Sequence, residues 1–397
     1  MKKNIFPRPR LTTITLFSNK QFRIQRYFSI AGFVLLSFWS GIAHAEPEMI
    51  RHDYFSCMAC HYSPHGGGLL TPYGRGIAQA LSYQGGDYEE SELKQKLSFD
   101  GLMDQGVQVR LAALTHGEIG KAFPMQGDYL NHTQLNDNLS LNVNIGEIPP
   151  PAGSDYTFDQ EFLKQIILRK FVVSYRPGED GTEITFGRDL LPVGLGLDDH
   201  TYFIKKYNRL NVNDVVTQLG YYSWGPQLLY AIVGYAPSTE ESEGNGEAGG
   251  VLSFEYKPMV QKNYSFGGHV LKGRTDAISR TLTGLMTRLS FSESIVILAE
   301  LDHTQRELAD TGLSFGQWTR FLKASYYPMD YLETALTMES LERETPFEAG
   351  VSRTALRSTL RATGQLSFIF IFQNQFTNDT ASNLDNMLML QVFYNGF

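Results

Sequence analysis

The chain has 397 residues, with 34 basic and 42 acidic side chains and a formal net charge of −8 at pH 7. This acidic balance argues against nucleic acid as a partner, because nucleic-acid-binding proteins present basic surfaces. Aromatic residues make up 13% of the chain, yet the mean hydropathy is only −0.23. No run of eighteen apolar residues follows residue 45, which excludes a helical membrane span from that part of the chain.

The first 45 residues have the pattern of a secretory signal peptide. Seven basic and no acidic residues lie between Lys2 and Arg26, and an apolar stretch follows over Tyr27–Ile42. The stretch ends at Ala43-His44-Ala45, a small-x-small cleavage pattern. A membrane anchor is the alternative, but Ser and Gly interrupt the short apolar run. We therefore predict that residues 1–45 direct export and are then removed.

The segment Cys57-Met-Ala-Cys60-His61 has the Cys-x-x-Cys-His spacing of a c-type haem attachment site. Each thiol can bond one vinyl group of a porphyrin, and the next residue presents an imidazole to the iron. These are the only two cysteines of the chain. A disulfide between them is the alternative in an exported protein, but the adjacent His61 favours haem. We predict haem c (iron) as cofactor, with Cys57 and Cys60 as thioether anchors and His61 as the proximal ligand.

The residues around this motif supply further haem-binding candidates within a compact segment, 46–100. Gly66–Gly68 permit positive φ angles and a close approach of the backbone to a flat ring. Arg75 is suited to meet a haem propionate, although a solvated surface arginine is an equal alternative. For the sixth iron ligand we favour His52, which could reach over if the chain folds back.

Other axial ligands remain open, as does a five-coordinate iron. The candidates are His116, His132, Met58, Met103 and Met125. His/His ligation would give a lower potential than His/Met ligation. His65 follows on the proximal side and is disfavoured. His200, His269 and His303 are expected to be loop or lumen histidines rather than ligands.

From Gly106 onward, the hydrophobic pattern changes to a period of two. Leu139–Ile145 alternates apolar and polar residues without a fault, and turn residues such as those of 176–181 follow the segments. Fifteen segments are predicted as strands: 107–114, 139–145, 166–176, 182–187, 215–224, 228–236, 250–257, 264–271, 281–291, 295–303, 319–326, 332–339, 356–362, 367–376 and 387–397.

The polar face of these segments distinguishes a soluble sandwich from a membrane barrel, since a sandwich buries the apolar face and a membrane barrel turns it outward. Charged residues occupy that face in mid-strand: Arg110, Arg169, Lys170, Glu300, Asp302, Lys323, Glu333, Arg357 and Arg361. A single closed barrel also leaves no free sheet edge. We predict an all-β fold, a transmembrane antiparallel β-barrel of about 14–16 strands over 101–397, preceded by the small haem-binding segment.

Two short stretches resemble bacterial outer-membrane barrels. The last strand ends in Phe397, similar to the terminal aromatic of such barrels, although the polar Gln391 and Asn395 depart from the pattern. Phe186–Gly196 is similar to a Gly-Arg-x-x-x-Pro-x-Gly loop of porin-like barrels. We interpret this stretch as a strand end with a Gly/Pro turn folded inward rather than a solute-binding site.

Together, the motif and the barrel pattern resemble a porin–cytochrome fusion, comparable in logic to the conduits that carry electrons across outer membranes. The resemblance implies a location in the bacterial outer membrane, with lipid around the barrel and the haem segment on the periplasmic side. It also implies electron transfer between periplasm and outer face. Because one haem cannot bridge a hydrocarbon layer about 30 Å thick, periplasmic or extracellular c-type cytochromes are expected partners.

Two other functions stay open at this point. The first is a transport pore in which a haem-bearing plug gates or senses passage, and the second is an enzyme or gas sensor with an open iron site. The sequence contains no recognisable Ser/His/Asp set, phosphate loop or metal-protease motif. An electron-transfer or transport protein is therefore favoured over an enzyme.

Overall fold

The computed structural model describes residues 47–64, 66–89, 94–95, 98, 101–116, 119–147, 166–178, 181–197, 199, 201–210, 214–237, 246–258, 263–344, 350–377 and 385–396. The predicted signal peptide, His65, His200 and Phe397 lie outside these residues. Within them, short 3-10 turns span Pro47–His52 and Cys57–Ala59, and two helices span Pro72–Ala80 (α1) and Phe203–Lys206 (α2). No helix of the described part of the chain is long and apolar enough to cross a membrane.

Sixteen antiparallel strands form one closed barrel, in which each strand pairs with its neighbours in sequence and β1 pairs with β16. They are β1 Met103–His116, β2 Ile119–Asn136, β3 Leu139–Glu147, β4 Ile166–Tyr175, β5 Thr182–Asp189, β6 Val216–Trp224, β7 Leu228–Pro237, β8 Ala248–Tyr256, β9 Tyr264–Arg274, β10 Ile278–Ser292, β11 Ile295–Leu308, β12 Ser314–Met329, β13 Leu332–Arg343, β14 Val351–Arg361, β15 Leu366–Thr377 and β16 Asp385–Gly396. The predicted fold class and the upper strand number are confirmed.

The wall of the barrel is apolar outside and polar inside. On β13, Glu333 is fully buried and Glu339 is 5% exposed, whereas Leu336 and Met338 on the opposite face are 45% and 49% exposed. The same alternation places Asp302 inside and Leu301 outside. This is the reverse of a soluble sandwich, as the period-two pattern predicts.

The strand register shifts by one residue between β1 and β2 and between β3 and β4. Between Arg110 and Leu111 of β1 the pairing on β2 jumps from Gln126 to Pro124, so Met125 is an extra residue. A second shift leaves Arg169 of β4 without a directly opposite partner. An extra residue reverses the phase of a strand locally, which gives consecutive side chains access to the interior.

The N-terminal residues 47–89, called the plug below, lie inside one end of the barrel. Ile50 is fully buried and packs in a cluster with Val296, Leu298 and Phe321 of the wall. Arg51 donates to the carbonyl oxygen of Glu293 at 2.9 Å and to Asp330 Oδ1 at 2.8 Å. These partners belong to short turns between strands, such as 137–138, 293–294 and 330–331. The other end carries longer connections, including 148–165, 190–215 and 238–247.

The chain between β5 and β6 also folds into the interior, and its residues 190–210 are called the inner loop below. Val193, Leu195 and Ile204 are each at most 4% exposed. The amide of Leu195 donates to Glu300 Oε2 at 2.9 Å, and the amide of Phe203 donates to Glu339 Oε2 at 2.6 Å. The end of the segment Phe186–Gly196 therefore folds inward, as its Gly/Pro turn predicts.

Candidate functional site

A cavity of about 340 Å³ lies between the plug, the inner loop and the wall. Its volume falls in the range of small-molecule and cofactor pockets. Cys57, Cys60 and His61 all line it from the plug, and Leu195 lines it from the inner loop. The three motif residues therefore face one enclosed space inside the barrel.

Local hydrogen bonds hold the motif in one tight turn. Ser56 Oγ accepts from the amide of Met58 at 3.2 Å, and the amide of His61 donates to the carbonyl oxygen of Cys57 at 2.9 Å. His61 then forms an isolated antiparallel bridge with Leu70. Because one turn supplies all three side chains, the thiols and the imidazole reach the cavity from the same side.

The glycines after the motif bring the backbone close to the cysteines. Gly66, Gly67 and Gly68 have φ angles of 71°, 66° and 64°, a left-handed region that only glycine adopts without strain. A Cβ added to Gly66 would lie 3.2 Å from Cys57 Sγ. On α1, a Cβ added to Gly74 would lie 2.2 Å from the carbonyl oxygen of Cys60. Glycine is therefore needed at both positions to pack the motif.

Burial controls the ionisation of the motif residues. It lowers the pKa of His61 to about 4, although the backbone of Gly67 and Leu69 partly opposes this shift. His61 is 2% exposed, and neither ring nitrogen makes a hydrogen bond of acceptable geometry. At neutral pH the imidazole is therefore uncharged, which is the form that binds a metal.

The two thiols are free in the structure, so they form no disulfide. Burial raises the pKa of Cys60 to about 11 and also raises the pKa of Cys57, where the nearby Arg288 opposes the shift. Both side chains are thus protonated thiols at neutral pH. Buried protonated thiols are poor nucleophiles.

Cationic side chains outnumber anionic ones on the described lining of the cavity. The cationic residues are Arg110, Arg169, Lys170, Lys205 and Arg288. The anionic residues are Asp128, Asp189 and Glu255. Some of these charges pair with each other, as between Arg288 Nη2 and Glu255 Oε2 at 3.0 Å. The described lining therefore carries an excess of two cationic side chains.

Two of the predicted site residues lie away from the cavity lining. Arg75 donates to the carbonyl oxygen of Leu70 at 2.7 Å and to Asp104 Oδ2 at 2.8 Å, and so helps to hold the plug against β1. His52 Nε2 lies 3.5 Å from Asp330 Oδ1 at the turn after β12. The structure does not bring either residue to Cys57, Cys60 and His61.

Among the alternative axial ligands, Met125 lines the cavity and is 8% exposed. His132 stacks on Tyr62 with ring centroids 3.8 Å apart. The sulfur of Met58 lies 3.9 Å from Arg176 Nη2. The side chain of His116 lies outside the described residues. Met125 is therefore the predicted thioether candidate that lies on the lining of the same cavity as the motif.

Sequence reasoning missed two other residues of the lining, Arg288 and Met286, both on β10. The even spacing of Met286 and Arg288 in a predicted strand shows that they share a face. It gives no information about which part of the wall the plug meets, because that depends on contacts between distant parts of the chain.

No known protein-family profile matches the chain, and no curated protein matches it. Solved outer-membrane structures share its fold. A loop L8 deletion mutant of OmpT of Vibrio cholerae has a TM-score of 0.56 at 10% identity, covering 74% of this chain and 98% of that chain. The outer membrane channel DcaP of Acinetobacter baumannii has a TM-score of 0.53 at 12% identity, covering 74% of this chain and 96% of that chain.

An anion-selective porin from Comamonas acidovorans is also similar, with a TM-score of 0.50 at 11% identity. It covers 74% of this chain and 98% of that chain. At these identities the likeness concerns the fold alone. The chain therefore shares the closed barrel architecture of outer-membrane porins.

Proposed function

We propose that this protein is a bacterial outer-membrane barrel that carries one covalently bound haem c in its plug and takes part in electron transfer between periplasm and outer face. One observation carries the proposal: a buried His61, whose ring nitrogens make no hydrogen bond of acceptable geometry, lines the same cavity as both cysteines of the chain. A buried imidazole nitrogen with poor hydrogen bonding costs free energy, and a bound iron would remove that cost.

Each residue has a defined part in this proposal. Cys57 and Cys60 hold the porphyrin edge through thioether bonds, formed when each S–H adds across a vinyl C=C bond. His61 supplies the proximal nitrogen. Cationic lining residues such as Arg110 would neutralise the propionates. When bound, haem supplies a one-electron couple between ferric and ferrous iron.

The apolar outer surface supports an outer-membrane location, because such a surface is stable in lipid and costly in water. The plug enters the barrel at the end with short turns. In outer-membrane barrels the short turns are periplasmic and the long loops extracellular. We therefore place the haem near the periplasmic mouth, with periplasmic or extracellular c-type cytochromes as electron-transfer partners.

The packing of the plug favours electron transfer over the alternative, a transport pore gated by a haem-bearing plug. Lys323 of the wall lies 2.5 Å from Glu48 of the plug, with both side chains almost fully buried. Arg51 binds the turn at Asp330, and Ile50 packs in a hydrophobic cluster with residues of the wall and the inner loop. A solute would have to displace these contacts to pass.

The first experiment tests covalent haem. The full chain is produced with a c-type maturation system, denatured and stained for haem, and its absorption is recorded in both redox states. We expect a haem-positive band and about one haem per chain. The Cys57→Ala/Cys60→Ala variant should lose the stain while the barrel keeps its folded gel mobility. A colourless wild-type protein would contradict the proposal.

The second experiment separates the two functions. The purified protein is reconstituted in liposomes with a soluble c-type cytochrome on each side of the bilayer, because one haem cannot bridge the hydrocarbon layer alone, and an impermeant reductant is added outside. Reduction inside that requires Cys57 and Cys60 supports electron transfer. A conductance that depends on the redox state of the haem, without such reduction, would support the gated pore instead.

Axial ligation has its own test within this proposal. Met125 and Met286 are thioethers that line the cavity, and a Met ligand raises the reduction potential relative to His/His ligation. Met125→Leu should lower the midpoint potential if Met125 is the ligand, and Met286→Leu serves as the matched control. Equal potentials in wild type and both variants would exclude both methionines.

A further inference from the structure

A second group of ligand-type side chains lies on the inner wall, apart from the cysteine motif. It consists of His269 on β9 and Glu300 and Asp302 on β11, called the wall cluster below. Their exposed fractions are 3%, 4% and 0%, and one ligand atom of each lies within 4.8 Å of the others. We propose that the wall cluster binds one first-row divalent metal ion, for which Zn²⁺ is the probe.

The strand register builds this cluster. Gly284 of β10 stands directly between His269 and Asp302, since it pairs with both across the sheet. A Cβ at this position would lie 2.2 Å from both Asp302 Oδ1 and His269 Nε2. The missing side chain therefore leaves the space in which the imidazole and the carboxylate converge across the intervening strand.

The spacing of these atoms suits metal ligands. His269 Nε2 and Asp302 Oδ1 lie 3.1 Å apart. Two ligand atoms bound to one tetrahedral Zn²⁺ at 2.0–2.1 Å are about 3.3 Å apart. One imidazole and two carboxylates form a mixed N/O donor set that first-row divalent ions accept.

The cluster also contains buried polar atoms whose only close partners are the other members of the cluster or that lack a well-formed hydrogen bond. Neither ring nitrogen of His269, nor Asp302 Oδ1, has a hydrogen bond of acceptable geometry. Two other carboxylate oxygens are held: Asp302 Oδ2 accepts from Asn208 Nδ2 at 2.7 Å, and Glu300 Oε2 accepts from the amide of Leu195 at 2.9 Å. Such outer contacts orient carboxylates toward a metal.

Charge balance points the same way. Two adjacent buried carboxylates repel each other and need positive charge nearby. Lys205 acts electrostatically on both and supplies one positive charge. Elsewhere in the lumen, Glu339 is balanced directly by Arg353, with Arg353 Nη2 at 2.6 Å. In the wall cluster, the group next to the carboxylate is the imidazole of His269 instead of a guanidinium. A divalent cation bound between them would supply the positive charge.

A metal here would fasten the inner loop to the wall. Glu300 holds the loop at Leu195 and Asp302 holds it at Asn208. Leu195 also lines the cavity beside the cysteine motif. The ion would thus have a structural role, fixing one boundary of that cavity, and this proposal does not depend on haem.

The test measures zinc in full-length protein without an affinity tag. Detergent-solubilised protein is stripped with EDTA, incubated with Zn²⁺, desalted and analysed by elemental mass spectrometry. We expect about one Zn²⁺ per wild-type chain. His269→Gln and Asp302→Asn should each weaken binding by at least about 10- to 100-fold, as losses around metal ligands do.

Glu339→Gln is the matched control, because it alters an equivalent contact between wall and inner loop without touching the cluster. It should keep the zinc content of wild type, as should Cys57→Ala/Cys60→Ala, which separates this site from any haem. Folded gel mobility verifies that each variant is a barrel. EDTA should lower the thermal midpoint, and Zn²⁺ should restore it, in wild type and in both controls but not in His269→Gln or Asp302→Asn.

Three results would overturn the proposal. They are zinc at background level in wild type, unchanged zinc affinity in folded His269→Gln and Asp302→Asn proteins, and equal loss of zinc in Glu339→Gln. If the wild-type cluster takes no metal, then the three side chains share protons among themselves, with Lys205 as their countercharge.

Discussion

The wall and the plug are held together by different means. The wall is a continuous ladder of backbone hydrogen bonds through sixteen strands. The described plug contains two 3-10 turns and one nine-residue helix, Pro72–Ala80. It is fixed by side chains such as Arg51 and Glu48, which reach wall residues more than 240 positions away. The wall is therefore held mainly by its backbone, whereas a few side-chain contacts position the plug.

The largest effect on the attachment of the plug to the wall is expected at Lys323. Its ammonium group lies 2.5 Å from Glu48 of the plug and 2.8 Å from Glu333 of the wall. Lys323→Met leaves Glu48 buried without its cationic partner, and breaking a buried pair in this way costs roughly 3–5 kcal/mol. We expect the plug to become sensitive to protease while the barrel keeps its folded gel mobility.

Glu48→Gln provides the control, because Lys323 then keeps Glu333. Its effect on plug protection should be smaller, and the double variant Lys323→Met/Glu48→Gln should be more protected than Lys323→Met alone. Equal protease sensitivity of the single variants, with no recovery in the double variant, would contradict a plug held by this pair.

Acid should loosen the plug. In a Cys57→Ala/Cys60→Ala chain, burial lowers the pKa of His61 to about 4 from the ordinary 6.5. The opened plug therefore binds a proton more readily than the docked one. The stabilisation is complete above pH 6.5 and is lost as the pH falls towards 4, by about 3 kcal/mol.

Hydrogen exchange of the plug between pH 7 and pH 4 measures this effect. Burial also lowers the pKa of His52, so a smaller loss in the same direction should persist in His61→Gln. The contribution of His61 is the difference between the two proteins. Parallel pH profiles of the two proteins would show that His61 does not contribute to the acid sensitivity of the plug.

Burial should also protect the cysteine thiols. Without haem, Cys60 has a pKa of about 11 against an ordinary 9.0. The thiolate fraction at pH 7 should therefore be about 100-fold below that of an exposed cysteine. Dithionitrobenzoate should react with the folded protein at least that much more slowly than with the denatured chain. Equal rates would mean that the plug is open.

The smallest expected effect is on haem yield in two glycine variants of the plug, which together distinguish backbone strain from side-chain crowding. Gly66→Ala and Gly67→Ala both place a side chain at positive φ, a cost of about 1–2 kcal/mol. The Gly66 substitution also crowds Cys57 Sγ, whereas a Cβ on Gly67 meets nothing within 4 Å. Haem yield should therefore fall further in Gly66→Ala. A larger loss in Gly67→Ala would contradict this account.

The difference between wall and plug also explains how much could be predicted from the sequence. The period-two pattern identifies fifteen of the strands, because alternation depends only on neighbours along the chain. It misses β2, where Gly120, Pro124 and Gly127 interrupt the alternation and a register shift reverses its phase. The shift also brings Met125 inward, which the simple alternation does not anticipate.

For the site, local spacing identifies Cys57, Cys60 and His61, and the structure places all three at one cavity. The predictions for His52 and Arg75 required knowledge of distant parts of the chain. Asp330 and Asp104 engage these side chains, and neither contact follows from residues near the motif. Haem binding itself remains a prediction.

The seam where the barrel closes has a consequence for assembly. Arg110 of β1 and Phe393 of β16 pair across that seam, and both line the cavity. The first and the last strands to leave the ribosome therefore meet at the chamber around the cysteines. The lining around the cysteines is therefore complete only once β1 and β16 have paired.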